Sequence, residues 1–370
     1  MLALRSLLQA FGWSAYLLPF IPIAVALEVA HADPVIVFAA SALGVIPTAS
    51  LMGTATEQLA ARSGPGIGGL LNVTFGNAPE LIIALFALGA GLHEVVKASI
   101  IGSILGNILL VMGAAMLVGG LKRERQYFDR TAASVQSIML LLAVAALVMP
   151  AVFELIEGTG LPNPGDERVN YDSTVEQLSF AVAIVLILTY VSGLVFSLRT
   201  HRELFNPVHD EQEHEGEPWT VRRAVIALAI AGALVGLMSE ILVGSISEAS
   251  ESIGLSEFFV GVIVVATVGN AAEHWVAVLV ASKDKMDLAV NIAIGSSAQI
   301  ALFVGPLLVL CSFVLGPHPM ALVFNGFELG AVILAAVIAN QVTQEGESTW
   351  FEGLQLLAVY LVFGLAFYFA

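Results

Sequence analysis

Thr74-Phe75-Gly76-Asn77-Ala78-Pro79-Glu80 lies inside a long apolar run, and five of its seven residues recur in order at Thr267-Val268-Gly269-Asn270-Ala271-Ala272-Glu273. A carboxylate in a segment long and apolar enough to enter a bilayer is costly and marks a functional position by default. Two such carboxylates in matching contexts point to a duplicated site. At a shift of 193 residues, Gly102 falls on Gly295, Ser103 on Ser296 and Leu109 on Leu302, so the register holds through two consecutive spans. Upstream, Gly53-Thr54-Ala55-Thr56-Glu57 resembles Gly244-Ser245-Ile246-Ser247-Glu248 at a shift of 191.

Of 370 residues, 58% are hydrophobic and 12% charged, and the mean hydropathy is +0.90. Soluble domains carry about a quarter charged residues, so the composition is that of an integral membrane protein. The 30 acidic and 14 basic residues argue against nucleic-acid binding and suit a handler of cations. Cys311, the single cysteine, reads as a packing residue and excludes a disulfide framework or thiolate cluster. The first apolar run, near residues 11–29, lacks a strongly basic start and a small-residue cleavage site, so no cleavable signal peptide is expected.

Eleven apolar spans are expected near 10–28, 34–58, 67–91, 95–119, 131–154, 174–198, 219–245, 257–281, 287–315, 321–341 and 350–370. None alternates in the manner of a strand, so an all-α membrane fold follows. With a cytoplasmic N-terminus, twelve of fourteen basic residues fall on the cytoplasmic side: Arg5, Arg62, Lys122, Arg123, Arg125, Arg130, Arg199, Arg202, Arg222, Arg223, Lys283 and Lys285. Lys97 and Arg168 are the exceptions. The expected organisation is an N-terminal helix (1–33), five helices (34–198), a linker (199–218) and five more (219–370). Five being odd, the second set enters from the opposite face, the inverted-repeat plan of many secondary transporters.

The motif's chemistry suits a hard cation. Asn77 and Glu80 are three residues apart and would share a helix face; Asn270 and Glu273 repeat the pair. Pro79 leaves the Phe75 carbonyl without its helical donor, and Gly76 eases a bend there. The second copy lacks the proline, so a break there would rest on Gly269 alone. Two carboxylates, two amides and loosened carbonyls resemble the oxygen set calcium takes, with six to eight ligands in flexible geometry. No His/Cys spacing suggests zinc. Paired carboxylates in low dielectric resist joint ionisation, so a proton and a divalent cation compete for the same oxygens. That competition is the minimum requirement for antiport, with calcium and protons as transported partners and no resident cofactor.

Other polar residues have plainer alternatives beside their functional ones. His274 is a candidate proton carrier or a packing residue. Gln299 and Asn107 are candidate amide ligands or interhelical hydrogen-bonders. Glu57, Glu240 and Glu248 are candidates for the cation path. Among Glu57, Glu240, Glu248 and Glu257, Glu240 is expected to be the buried one because apolar residues flank it; Glu328 reads either way. Gly102 and Gly106 read as packing residues. Asp210, Glu211, Glu213, Glu215 and Glu217 form an acidic cytoplasmic run, either a solvated linker or a regulatory cation-sensing segment.

Ala55-Thr56-Glu57, Gly69 through Ile82, Val268 through His274, and Ser348-Thr349-Trp350-Phe351-Glu352-Gly353 followed by Leu356, Leu357 and Tyr360 together resemble the cation exchanger family of the calcium/cation antiporter superfamily. The resemblance spans nearly all of the chain after the first helix; Val73, often Ala in the family, is a mild departure. It implies calcium/proton exchange, with calcium held by Glu80 and Glu273 and with Asn77, Asn270 and Gln299 nearby. It also implies a cytoplasmic acidic segment between the halves. Sodium-driven exchange, a passive channel and an intramembrane metallohydrolase are the rivals. The last is disfavoured because His93-Glu94 and His214-Glu215 are followed by Lys97 and Pro218 where a second zinc-binding His belongs. The short loops suit a prokaryotic inner membrane, with a vacuolar one also open, and a homo-oligomer is compatible with the sequence.

Overall fold

The computed structural model describes residues 11–164, 166, 171–200 and 219–370. Arg5, Arg168, Arg202 and the acidic run with Asp210, Glu211, Glu213, Glu215 and Glu217 lie outside the described residues. Helices α1 (Phe20–Val29), α2 (Pro34–Arg62), α3 (Gly64–Phe75) and α4 (Ala78–Gly89) come first. They are followed by α5 (His93–Leu105), α6 (Met112–Gly120), α7 (Arg130–Leu147), α8 (Met149–Glu157) and α9 (Ser173–Val195). The second half holds α10 (Val221–Ile253), α11 (Glu257–Phe259), α12 (Ala266–Ser282), α13 (Met286–Gln299), α14 (Gly305–Ser312), α15 (Gly326–Val342) and α16 (Trp350–Phe369). Among the described residues, nine helical stretches are long and apolar enough to cross a membrane, and α4 and α15 are shorter apolar helices. The spans read from sequence correspond to these stretches.

The repeat is written into the backbone. At the shift of 193, the start of α5, His93, falls on Met286, the start of α13, and Met112 of α6 falls on Gly305 of α14. Each pair is joined by a π-helical turn, Gly106–Val111 in the first copy and Ile300–Val304 in the second. The turns before α5 and α13 also correspond: Gly91 has φ 78° and its counterpart Asp284 has φ 66°. A left-handed residue closes a helix readily, and glycine or a small polar residue adopts it at least cost.

The chain packs as two compact units. One comprises the described residues of Met1–Phe86, Val191–Ala249 and Val268–Ala272. Its core includes Phe11, Leu51, Met52, Ala78, Ala231 and Val235. The other comprises Ala87–Tyr190, Ser250–Thr267 and Glu273–Ala370. There Ile101, Ile104, Leu105, Ile108, Leu109 and Met112 are fully buried, and glycine lets helices touch: a Cβ on Gly102 would collide with the Val262 carbonyl. Outward faces are apolar as well, with Leu142, Leu188, Leu361 and Val362 exposed, as hydrocarbon contact requires.

A short antiparallel pair, Gln126–Tyr127 (β1) with Glu347–Ser348 (β2), is not expected from sequence. Two residues are too few for alternation to register. β2 leads into α16, whose start is fixed by a capping box: Thr349 accepts from Glu352 N–H while the Glu352 carboxylate accepts from Thr349 N–H. Gly353 then lies against the backbone of Gly113 and Leu117. The Ser348–Gly353 motif is therefore a structural joint.

Candidate functional site

The first motif is a helix break. α3 ends at Phe75, Gly76 and Asn77 form a turn, and α4 begins at Ala78. Gly76 N–H still reaches the Asn72 carbonyl at 2.8 Å, and Leu81 N–H reaches the Asn77 carbonyl at 3.1 Å. Pro79 is the second residue of α4, where its missing N–H costs nothing. Glu80 sits in that helix's first turn, where the aligned peptide dipoles favour negative charge. Asn77 therefore stands immediately before the helix that carries Glu80, with its carbonyl accepting that helix's first i+4 bond. Asn77 is buried and Glu80 half-buried.

The second motif runs on unbroken. α12 passes through Gly269, Asn270 and Glu273, and the irregularity lies earlier, in a π turn at Val260–Val265. A glycine alone does not break this helix. Within one unit the motifs touch: a Cβ on Gly269 would lie 3.2 Å from Glu80 Cγ and 3.6 Å from Ile83 Cδ1. Asn270, the next residue, is fully buried. The Asn77 Oδ1, Glu80 Oε2 and Asn270 Oδ1 atoms are shielded from solvent without a hydrogen-bond donor among the described residues, while all three residues are engaged in other interactions.

In the other unit, Glu273 Oε2 accepts a hydrogen bond from Ser296 Oγ at 3.0 Å. His274 Nε2–H donates to Asn107 Oδ1 at 3.1 Å, and Gly106 leaves room beside the imidazole. Gln299, half-buried, closes α13 immediately before the π turn. The structure thus groups Asn77, Glu80, Gly269 and Asn270 within one unit, and Glu273, Ser296, His274 and Asn107 within the other. Sequence reasoning passes over Ser296 as a partner, although the repeated Gly-Ser of the 193-residue register singles it out. Among the described residues no group of three or more His, Cys, Asp or Glu is arranged as a metal cluster; the donors here are largely amide and hydroxyl oxygens around single carboxylates.

Several acidic residues fall differently from expectation. Glu240 is exposed and Glu257 is buried, the reverse of the reading from sequence. Flanking residues mislead: on α10, Leu237, Glu240, Gly244, Ser247 and Glu248 form one exposed stripe, while Met238 and Ser239 face inward. Glu57 is exposed on α2. Glu328 is buried and spent in a capping box with Asn325. Lys97, an exception to the charge asymmetry, is buried within α5: 1% exposed, it pairs with Glu94 at 2.5 Å and donates to the Val323 carbonyl at 2.7 Å.

Helical spans around paired carboxylate- and amide-bearing motifs define a membrane transporter of cations. The sequence pattern of the family described as sodium/calcium exchanger protein matches residues 34–199 and 223–369. The chain is 45% identical over 372 residues to the Ca(2+)/H(+) antiporter of Aphanothece halophytica, covering 95% of each chain. It is 39% identical over 334 residues to the vacuolar calcium ion transporter of Schizosaccharomyces pombe, covering 90% of this chain and 79% of that one. The solved structure of native YfkE superposes with a TM-score of 0.79 at 41% identity, covering 95% of this chain and 97% of that one. The chain belongs to the sodium/calcium exchanger protein family, in its cation exchanger branch.

Proposed function

We infer that the protein is a secondary active transporter that exchanges calcium for protons across a membrane. The observation that carries the reading is the duplicated Gly-Asn-Ala-x-Glu motif, with Gly269 of one copy packed against Glu80 of the other. Glu80, with Asn77 and Asn270, and Glu273, with Gln299, are the ligands of this proposal. Calcium enters as substrate, and no resident cofactor is invoked. Protons leave Glu80 and Glu273 when calcium arrives and return when it departs; His274, held by Asn107, is the candidate relay. The inverted arrangement of the two five-helix sets supplies alternating access. Membership of the calcium/proton antiporter branch at 45% identity, against 39% for the vacuolar relative, supports a prokaryotic cell membrane as its location.

The sign of the pH dependence follows from competition. A carboxylate binds calcium only when deprotonated, so lowering pH on the calcium-loading side raises the apparent KM, while a proton gradient directed against calcium drives uptake. Purified protein in liposomes should accumulate calcium after a pH step in sodium-free buffer, and Glu80→Gln or Glu273→Gln should abolish exchange. A requirement for sodium would overturn proton coupling; full exchange in both variants would overturn the ligand assignment.

A further inference from the structure

α13, whose Ser296 bonds Glu273, carries further polar groups towards its N-terminus that ligand binding at Glu273 leaves unused. Asp287, Asn291 and Gly295 are spaced four residues apart on α13 and stack on one side of it. Ser296, bonded to Glu273, follows directly. From α7, Gln136 Nε2 donates to Asn291 Oδ1. Both amide oxygens border Gly295: a Cβ there would lie in ordinary contact, 3.7 Å from Asn291 Oδ1 and from Gln136 Oε1. Gln136 Oε1 is buried and accepts no hydrogen bond among the described residues, whereas Asn291 and Asp287 are exposed. An amide carbonyl shielded from bulk solvent and left without a donor is costly until a donor, a water or a cation reaches it. Asp287, whose Oδ1 accepts the Asp129 N–H, adds a carboxylate one turn nearer the loop with Lys283 and Lys285.

We propose that Gln136 and Asn291 form a transit station on the cytoplasmic approach to Glu273, where an incoming divalent cation exchanges part of its hydration water for amide oxygens. The inference rests on the reading of Glu273 as a calcium ligand. Neutral amides suit such a role, because a passage site must bind well enough to strip water and weakly enough to release. Calcium tolerates a mixed shell of protein oxygens and water. The cytoplasmic assignment follows the basic residues just before α13. An interhelical bond alone would satisfy Gln136 Nε2, but it leaves Gln136 Oε1 without a purpose.

The test is sided transport in membrane vesicles of both orientations. Gln136→Leu should raise the calcium KM measured from the cytoplasmic face by roughly three- to tenfold, with the KM from the opposite face unchanged. Asn291→Asp should act oppositely, lowering the cytoplasmic KM and slowing the maximal rate, because a carboxylate releases the ion reluctantly. Asn291→Cys in a Cys311→Ala background should react with a membrane-impermeant thiol reagent from the cytoplasmic face, and calcium should slow the reaction. Unchanged KM in both first variants with an inactive Glu273→Gln, or labelling of Asn291→Cys only from the opposite face, would overturn the station while sparing the ligand. Full exchange in Glu273→Gln would remove the ligand reading itself and the station with it.

Discussion

Glycines at matching positions play different parts, and single methyl groups should reveal it. A Cβ on Gly102 would strike the Val262 carbonyl and lie 2.8 Å from Ala266 Cβ, whereas one on Gly295 would find nothing closer than 3.7 Å. Overpacking costs about 1–3 kcal/mol, so Gly102→Ala should lower the thermal unfolding midpoint in detergent, and Gly295→Ala should leave it nearly unchanged. Equal shifts would contradict the packing described. The same scale shows how sequence misleads about burial. Neighbours along the chain place Glu240 inside and Glu257 near water; neighbours along the helix reverse both. Lys97 reads only as an exception to the charge asymmetry near a span's end, and nothing in its immediate surroundings announces the Val323 carbonyl, 226 residues away, that accepts its hydrogen bond.

At the level of elements, the two motifs are related in sequence and unlike in backbone. Pro79 occupies the second position of α4, where no helical hydrogen bond is lost; the corresponding Ala272 lies inside α12. Pro79→Ala should therefore leave folding and exchange largely intact. Ala272→Pro should remove a helical bond and clash with the preceding turn, costing about 3 kcal/mol or more and eliminating transport activity in liposomes. Comparable tolerance of both exchanges would show that the helix break is set by something other than the proline. The break itself is legible in the sequence, because proline and glycine act locally. The continuity of α12 is not, because one glycine is compatible with bending or with regular helix. Ser296 escapes notice for a related reason, since a serine in an apolar helix most often bonds its own backbone, and only the tertiary arrangement shows that it serves Glu273. The capping boxes before α15 and α16 lie in plain view as Asn-x-x-Glu and Thr-x-x-Glu, yet an acidic residue beside an apolar span invites a functional reading first.

For the molecule as a whole, hydropathy and basic-residue asymmetry are enough to lay out the spans, since lipid imposes helix and length together. Which way each copy of the repeat faces is a stronger claim with a direct test. Ala90 and Lys283 correspond at the 193-residue shift and occupy matching turns before α5 and α13. If the copies are inverted, Lys283→Cys should react with an impermeant thiol reagent from the cytoplasmic face and Ala90→Cys only from the other. Labelling of both from one face would make the repeats parallel.

The π turns at Gly106–Val111 and Ile300–Val304 have a consequence for register. A π turn accommodates one residue more than the α turn it replaces, and Val111 falls on Val304 at the same shift of 193 that aligns the motif and the two spans around it. Had either copy its extra residue alone, the register beyond that point would slip by one, yet Met112 and Gly305 still begin their helices in step. One extra residue in each turn keeps the helices that follow in step between the two copies.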